Sequence, residues 1–306
     1  MHALIDRLLD SSPESAKVSI RRLLFGKQQR LCTLIFLLTF FLLASCSSFP
    51  DASERRATAQ VLAAKHQWSS RIIATKHFDV MAFTPSITVK HDELVVFIEG
   101  DGFAWRTRSQ PSQDPTPMRS TGLMTALNHP AQNAIYLARP CQYLMDTQKR
   151  NCDRAIWTTA RASQLVVDAS SQALDQLKQT YAAESLILVG YSGGGTVAAL
   201  LAAQRNDVKY LITLAGNLDH QRWTNWHKLT PLRESLNPAD FVQQLQAIPQ
   251  HHFVGEQDKV VPLAIAQAYR QRFPKTGFIN IELVKGFDHT CCWAQEWPTL
   301  WHSIAR

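Results

Sequence analysis

Runs of branched apolar residues recur along the chain and are separated by stretches with a more polar pattern. The runs lie at 71–83, 93–100, 133–140, 185–190, 208–216, 251–256 and 278–286, and they end in turn signals. Within most runs the apolar residues are continuous and do not alternate with polar ones, which is typical of strands that are buried on both faces. We therefore interpret these runs as β-strands, with 71–83 forming either one long strand or a strand pair.

Helical patterns occupy the spaces between these strands. They span about 159–180, 194–204, 238–247, 262–272 and 292–304, and the polar segment 46–68 is interpreted as a tether and a first helix. Alternating strands and helices predict an α/β fold: a doubly wound, mostly parallel sheet with helices on both faces. In such sheets the active site lies at the carboxyl ends of the strands.

The N-terminal segment differs from the rest of the chain. Basic residues between positions 21 and 30 precede an apolar run at 31–43, which is shorter than the roughly 20 residues that span a bilayer. The run ends in LASC, which resembles the bacterial lipobox. That resemblance implies a signal peptide at 1–45 and a lipid-modified Cys46, and the alternative is an uncleaved anchor helix. Ser47 resembles the sorting signal for the outer membrane, so we expect a lipid-anchored protein that faces the periplasm.

Charge adds little to this interpretation. The chain has 32 Lys and Arg against 25 Asp and Glu, a net charge of +7. Residues 1–45 hold six of the basic and three of the acidic residues, so the remainder carries only +4. This small and scattered excess does not indicate a nucleic-acid partner.

Four cysteines follow Cys46, and in an exported protein they are expected to pair. Cys141 and Cys152 flank a short polar stretch, which predicts a disulfide between them. Cys291 and Cys292 then form either a vicinal bridge or free thiols. The spacings contain no CxxC pair, so they do not favour a zinc site, and we expect no metal.

The sequence GYSGG at 190–194 lies between a predicted strand and a predicted helix. A serine in such a tight turn needs very small neighbours two residues away on either side, which Gly190 and Gly194 provide. The turn would expose the Ser192 hydroxyl at the sheet edge, beside the amides of the following helix. The alternative is a glycine-rich turn that binds phosphate, but the run lacks the lysine of a P-loop.

The motif in this context resembles the α/β-hydrolase superfamily, over residues 71–304. The resemblance implies a catalytic order of serine, acid and histidine, with Ser192 as nucleophile and His289, just after the last strand, as general base. Asp258 occupies the family's usual acid position, and Asp219 is the second candidate because some relatives carry the acid one strand earlier. His302, which lies among tryptophans on the last helix, fits a packing or surface role better.

The same resemblance implies a pair of amide donors for an oxyanion. We assign one to Gly193 and the other to Asp101, with Gly102 as the substitute, although relatives often have His-Gly-X where this chain has Gly-Asp-Gly. A carboxylate near a developing anion is unfavourable unless it points outward or pairs with a cation. Arg106 and Arg139 are the candidate partners.

These features predict an exported, lipid-anchored serine hydrolase that acts on a small-molecule ester or related acyl bond without a cofactor. The hydrolase domain is expected at 69–306, where 217–249 is either a small lid or an ordinary long connection. Two other classes stay open, because a binding protein could keep the fold without the chemistry, and a transferase or peptidase could use the same triad. The sequence does not identify the acyl group.

Overall fold

The structure is a computed structural model, and it describes residues 49–274 and 277–304. The predicted signal peptide at 1–45 and Cys46 lie outside the described residues, and they stay predictions. Within the described ranges, every helix is too short or too polar to cross a bilayer.

Eight strands and eight α-helices make up the described part of the chain. The strands are β1 (Trp68–Ala74), β2 (Asp79–Pro85), β3 (Glu93–Ile98), β4 (Ala134–Leu137), β5 (Ser185–Tyr191), β6 (Val208–Leu214), β7 (Gln250–Gly255) and β8 (Ile279–Val284). The helices are α1 (Ala52–Lys65), α2 (Thr121–Leu127), α3 (Gln164–Tyr181), α4 (Gly193–Gln204), α5 (His220–His227), α6 (Val242–Leu245), α7 (Leu263–Gln271) and α8 (Trp293–Ser303).

The strands form a single sheet in the order β1-β2-β4-β3-β5-β6-β7-β8. Strand β2 runs antiparallel to both of its neighbours, and the pairs from β4 to β8 are all parallel. Consecutive parallel strands are joined through helices, as the crossover connection requires. The predicted fold class, a doubly wound and mostly parallel sheet, is confirmed.

The continuous apolar strands are explained by helices that cover both faces of the sheet. In β3, Leu94, Val96 and Ile98 point into one core, whereas Val95 and Phe97 point into the other. The first core is closed by α3 and α4, and the second by α1, α2 and α8. Because both faces are buried, the five residues after Glu93 in this strand are all apolar.

The structure decides between the two alternatives for 71–83 and differs from the sequence-based elements elsewhere. The run 71–83 belongs to a strand pair, one of the two alternatives, because the polar turn between β1 and β2 reverses the chain. Helix α2 was not predicted, since its seven residues give too short a pattern for a helical period to be recognised. The predicted helix at 238–247 is a 3₁₀ turn (Pro238–Asp240) followed by the short α6.

Candidate active site

The turn from β5 into α4 holds Ser192 in an unusual backbone conformation. Its φ of 52° lies in the left-handed region, which residues with a side chain rarely adopt. The turn is possible because its neighbours are glycines: a Cβ at Gly190 would lie 2.5 Å from the carbonyl oxygen of Gly194. The Ser192 amide donates to the Leu214 carbonyl of β6 at 2.9 Å, which ties the turn to the next strand.

The three residues predicted as a triad meet at the carboxyl ends of the strands. Nε2 of His289 lies 3.0 Å from Oγ of Ser192, and its Nδ1 lies 2.9 Å from Oδ2 of Asp258. The other carboxylate oxygen of Asp258 accepts the amides of Val260 and Val261, both at 2.8 Å. The Asp258 carboxylate is therefore buried and has one oxygen fixed by the backbone and the other against the imidazole.

The backbone carbonyl of His289 is held from two directions. Tyr191, the last residue of β5, donates its hydroxyl to this carbonyl at 2.9 Å, and the indole of Trp293 donates to it at 3.1 Å. Asp288 shapes the same loop by accepting the amides of Thr290 and Cys291. These bonds hold the pKa of the exposed Asp288 carboxyl below its usual range. The loop thus fixes the position of the imidazole.

The second candidate acid does not reach the histidine. Asp219 caps the N-terminus of α5 by accepting the Arg222 amide at 3.0 Å, and its side chain also bonds to Asn237 and Arg272. These contacts hold α5 in place, and Asp219 is nearly inaccessible to solvent. His302 lies exposed on α8, which agrees with a surface role.

The two predicted oxyanion donors lie next to each other. Gly193 is the first residue of α4, so its amide has no acceptor within the helix. In the described residues, the Asp101 amide also has no protein acceptor. A side chain at Gly193 would collide with the Asp101 carboxylate, which shows how closely the two loops approach.

The Asp101 carboxylate is paired, as its position requires, but its partners differ in part from the expected ones. Arg139 donates to Oδ1 at 3.3 Å and Arg161 donates to Oδ2 at 2.5 Å. Arg106 is exposed, and the place expected for it beside this carboxylate is taken by Arg161. Sequence reasoning missed Arg161, which is 60 positions from Asp101 and lies in no recognisable motif.

Burial raises the pKa of both acids of this loop, and their polar partners lower it, with opposite net results for Asp101 and Glu99. Burial alone would raise the pKa of Asp101, but the guanidiniums of Arg161 and Arg139 outweigh it and hold the pKa below its usual range. Burial raises the pKa of Glu99, in spite of hydrogen bonds from the amides of Gly100 and Gly122 and from the Tyr136 hydroxyl. The charged Asp101 carboxylate therefore lies against Gly193, the residue after Ser192.

The cysteines pair within two short segments near these loops. Cys141 is bonded to Cys152 with a Cα–Cα distance of 5.8 Å, and the bridge closes the loop after β4. Cys291 and Cys292 form a vicinal disulfide just before α8, one of the two states left open by the sequence.

Helix α5 lies within the segment predicted as either a lid or a connection. The Trp223 indole donates to the carbonyl of Val260 at 2.7 Å, two residues beyond Asp258. The Arg161 guanidinium lies 5.9 Å from the centroid of the Trp223 ring. Trp226 and Leu229 are exposed nearby in sequence. This segment therefore places the Trp223 ring against the loop of Asp258 and near Arg161, the partner of Asp101.

Comparison with known proteins supports the same fold. No protein-family profile and no curated protein matches the chain. Among solved structures, an α/β serine hydrolase homologue from Coxiella burnetii is similar with a TM-score of 0.54 and 16% identity, over 78% of this chain and 97% of that one. An esterase from Pyrococcus furiosus gives 0.53 and 12%, over 77% and 89%. Est1E from Butyrivibrio proteoclasticus gives 0.52 and 13%, over 76% and 97%.

The strand order, the serine at the turn after β5 and these structural likenesses together define the class. The chain has the α/β-hydrolase fold. At 12–16% identity the likeness extends to the fold alone, so the chemistry has to be argued from this chain's own residues.

Proposed function

We propose that this protein is a serine hydrolase that cleaves an ester or a related acyl bond through an acyl-enzyme. The observation that supports the proposal is the chain of contacts from Asp258 to His289 to Ser192, at 2.9 and 3.0 Å. Both distances are within hydrogen-bond reach, as a nucleophile, a base and an orienting acid require. Among the described residues the amides of Gly193 and Asp101 have no protein acceptor, and they belong to a turn and a loop that are in contact beside Ser192.

In the acylation step, Oγ of Ser192 attacks the carbonyl carbon of the substrate while Nε2 of His289 takes the hydroxyl proton. The carbonyl oxygen becomes an oxyanion, and the amides of Gly193 and Asp101 donate to it. When the tetrahedral intermediate collapses, the bond to the alcohol oxygen breaks and His289 returns the proton to the leaving group. Asp258 keeps the imidazole in the tautomer that this exchange needs, and it stabilises the imidazolium.

Deacylation repeats the sequence with water as the nucleophile. Nε2 of His289 removes a proton from water, the oxygen adds to the acyl carbon, and the Ser192 oxygen leaves with the proton that the imidazole returns. The products are a carboxylic acid and free enzyme. The residues that act in both half-reactions are the same, so a single substitution at Ser192 should abolish both.

Hydrolysis of short p-nitrophenyl esters by the chain from residue 47 onward tests the proposal. We expect steady turnover by the parent and, at high enzyme concentration, an initial burst of p-nitrophenol if deacylation is slower than acylation. Ser192→Ala should lose all turnover above the background rate while it unfolds at the parental temperature. Equal turnover by the two proteins would contradict the assignment, and no turnover by the parent across a library of esters, thioesters and amides would favour a binding protein.

Export and lipid anchoring at Cys46 are part of the same proposal, with the outer membrane facing the periplasm as the location. The support is the sequence alone: a basic segment, an apolar run and LASC in succession. Metabolic labelling with a fatty acid should label the parent but not Cys46→Ala, with Cys141→Ala as the matched control that keeps its label. A Cys46→Ala protein that is still labelled and still resists carbonate extraction would contradict the lipid anchor.

A further inference from the structure

A carboxylate held between two guanidiniums lies directly beside the candidate nucleophile. Arg139 and Arg161 each donate to a different oxygen of Asp101, at 3.3 and 2.5 Å. The same carboxylate is in contact distance of Gly193, because a Cβ built on Gly193 would overlap it. The charged group therefore touches the region of both amides that are proposed to bind the oxyanion.

Each guanidinium is itself fixed to the backbone. The Arg161 side chain donates through Nε to the carbonyl of Thr158 at 2.7 Å. The Arg139 side chain donates to the carbonyl of Arg161. The side chain of Arg139 is 6% exposed and that of Arg161 is 13% exposed, so solvent hardly competes for these bonds. The two guanidiniums thus form a rigid support on which the carboxylate rests.

The loop after β4 also holds the preceding residue of the oxyanion loop. Gln142 accepts the amide of Arg139 at 3.0 Å and donates its own amide to the carbonyl of Gly100 at 3.0 Å. The peptide that carries the Asp101 amide is therefore fixed at its Gly100 carbonyl by Gln142 and, through the Asp101 side chain, by both guanidiniums. An amide donor fixed at both ends needs no reorganisation when the oxyanion forms.

Electrostatics give a second reason for two cations at this place. A lone carboxylate beside a developing oxyanion would repel it and slow the reaction. Two guanidiniums against one carboxylate leave the cluster of Asp101, Arg139 and Arg161 with a net positive charge. This surplus favours negative charge at the acyl oxygen. A single ion pair would only neutralise the carboxylate.

We propose that Arg139 and Arg161 are positioning residues of the oxyanion hole, which act through the carboxylate of Asp101 to direct its amide at the acyl oxygen. The inference rests on the proposed serine hydrolase function. It differs from a purely structural role because it predicts a defect in the transition state and not only in folding. It also differs from a substrate-binding role, which would change KM.

The test compares Arg161→Gln and Arg161→Lys with the parent, by kcat and KM on a p-nitrophenyl ester and by the Ki of a trifluoromethyl ketone. Oγ of Ser192 adds to the ketone carbon, and the resulting hemiketal oxygen occupies the oxyanion position, so Ki measures the hole directly. We expect Arg161→Gln to lower kcat by about 10- to 100-fold, because removing a donor entirely costs about 10² to 10³. Ki should rise by the same factor while KM stays within about twofold.

Arg161→Lys keeps the charge but loses the planar fork, so it should recover part of the lost kcat. Arg205→Gln is the matched control: the Arg205 side chain is 10% exposed, pairs with Asp207 and Asp175, and lies at the opposite end of α4 from Ser192. It should lower the melting temperature without changing kcat or Ki. Labelling with a fluorophosphonate gives the active fraction of each variant, so kcat is corrected for misfolded protein.

The outcomes separate the two proposals. If the parent is active and Arg161→Gln has the same kcat and Ki as the parent, the positioning role is overturned and the serine hydrolase function is not. A raised KM with unchanged kcat would also overturn it, since the guanidiniums would then bind substrate. Equal losses of kcat in Arg161→Gln and Arg205→Gln would overturn the positioning role as well, because the loss would then reflect lower stability in general. A parent without turnover or labelling would overturn the serine hydrolase function, and the positioning role would fall with it. If Arg161→Gln does not fold, Arg161→Lys and its Ki decide.

Discussion

The two sides of Ser192 are held in place by different kinds of interaction. On one side, which we call the triad side, His289 and Asp258 follow β8 and β7, and each is fixed by hydrogen bonds in which one partner is a backbone group. On the other, the oxyanion side, the loop 99–102 is fixed by charged and amide side chains from the loops 138–143 and 158–161. The Asp258 carboxylate is thus held by amides two and three residues away, whereas the Asp101 carboxylate is held by side chains 38 and 60 positions away.

This difference explains how each side should respond to substitution. A carboxylate bound by two adjacent amides, as Asp258 is, keeps its place even when its charge is removed. A carboxylate bound by two guanidiniums, as Asp101 is, depends on charge for its position. Substitutions on the triad side should therefore change chemistry with little change in fold, and those on the oxyanion side should change both.

The largest expected effect separates the two candidate acids. Asp258→Asn should lower kcat by about 10⁴-fold, because an asparagine favours the wrong imidazole tautomer and does not stabilise the imidazolium. The backbone bonds to the side-chain oxygen can persist, so the melting temperature should change little. Asp219→Asn is the matched control, and it should lower stability through its lost contact with Arg272 while kcat stays within a few fold. The measurements are kcat on one ester and thermal unfolding. If Asp219→Asn loses turnover and Asp258→Asn keeps it, the orienting acid is Asp219, which follows β6.

The second prediction concerns the bridge that closes the loop behind the oxyanion side. Cys141 and Cys152 are 11 positions apart, and closing a loop of about this size contributes about 3 kcal/mol in the chain-entropy account. Replacing both cysteines with Ala should lower the free energy of unfolding by about this amount, measured in urea. The bridged loop carries Gln142, and Arg139 lies two residues before its first cysteine, so kcat should also fall. A double variant with parental stability and kcat would show that the bridge supports neither.

The third prediction concerns a buried histidine in β7, the strand that ends shortly before Asp258. Burial lowers the pKa of His252 in β7 from 6.5 to about 3, and repulsion from His251, when that residue is protonated, adds to the effect. Unfolded His252 binds a proton near pH 6.5, so stability due to its neutral form is complete above that pH and falls as the pH drops towards 3. The slope should reach about 1.4 kcal/mol per pH unit.

Urea unfolding at several pH values between 7.5 and 4.5 measures this slope for the parent and for His252→Gln. The variant should lose less stability in acid than the parent, even if it is less stable at pH 7.5. His302→Gln, at an exposed position on α8, is the control and should follow the parent. Parallel curves for the parent and His252→Gln would mean that His252 is not kept neutral by burial.

The same contrast determines what the sequence could predict. The meeting of Ser192, Asp258 and His289 could be anticipated, because each residue follows a strand closely and parallel strands end at one edge. Asp101 could be placed in the same way. The partners of Asp101 could be anticipated only in part. Arg139 is the second residue after β4, but Arg161 lies between a 3₁₀ turn (Arg154–Trp157) and α3, and no period or motif marks the direction of its side chain.

Two elements escaped prediction for a related reason. Helix α2 has seven residues and α5 has eight, so neither gives enough turns for an apolar stripe to stand out from its surroundings. Their positions are set by tertiary packing instead. Helix α2 packs through Leu123 and Ala126 on the core that α8 closes, and α5 is anchored through Trp223 to the loop after β7. Local sequence does not contain those contacts.

The smallest expected effect concerns α5, whose Trp223 contacts Val260 on the triad side and lies near Arg161 on the oxyanion side. If the segment 217–249 shapes an acyl pocket, Trp223→Ala together with Trp226→Ala should shift the preferred acyl length by a few fold in kcat/KM. Turnover of the acetyl ester should change less, since it needs little apolar contact. Rates on p-nitrophenyl esters from acetyl to dodecanoyl measure the profile, and Leu165→Ala, at an exposed position on α3, is the control. An unchanged profile would favour an ordinary connection.

The central claim is that Ser192 is activated as a nucleophile by His289, and a covalent probe tests it most directly. The folded chain from residue 47 onward is treated with a fluorophosphonate, digested, and analysed by mass spectrometry to locate the adduct. The account predicts one adduct on the peptide that contains Ser192, with none in Ser192→Ala and a strongly slowed reaction in His289→Ala. A folded parent that forms no adduct, or forms it at a different residue, would contradict the account.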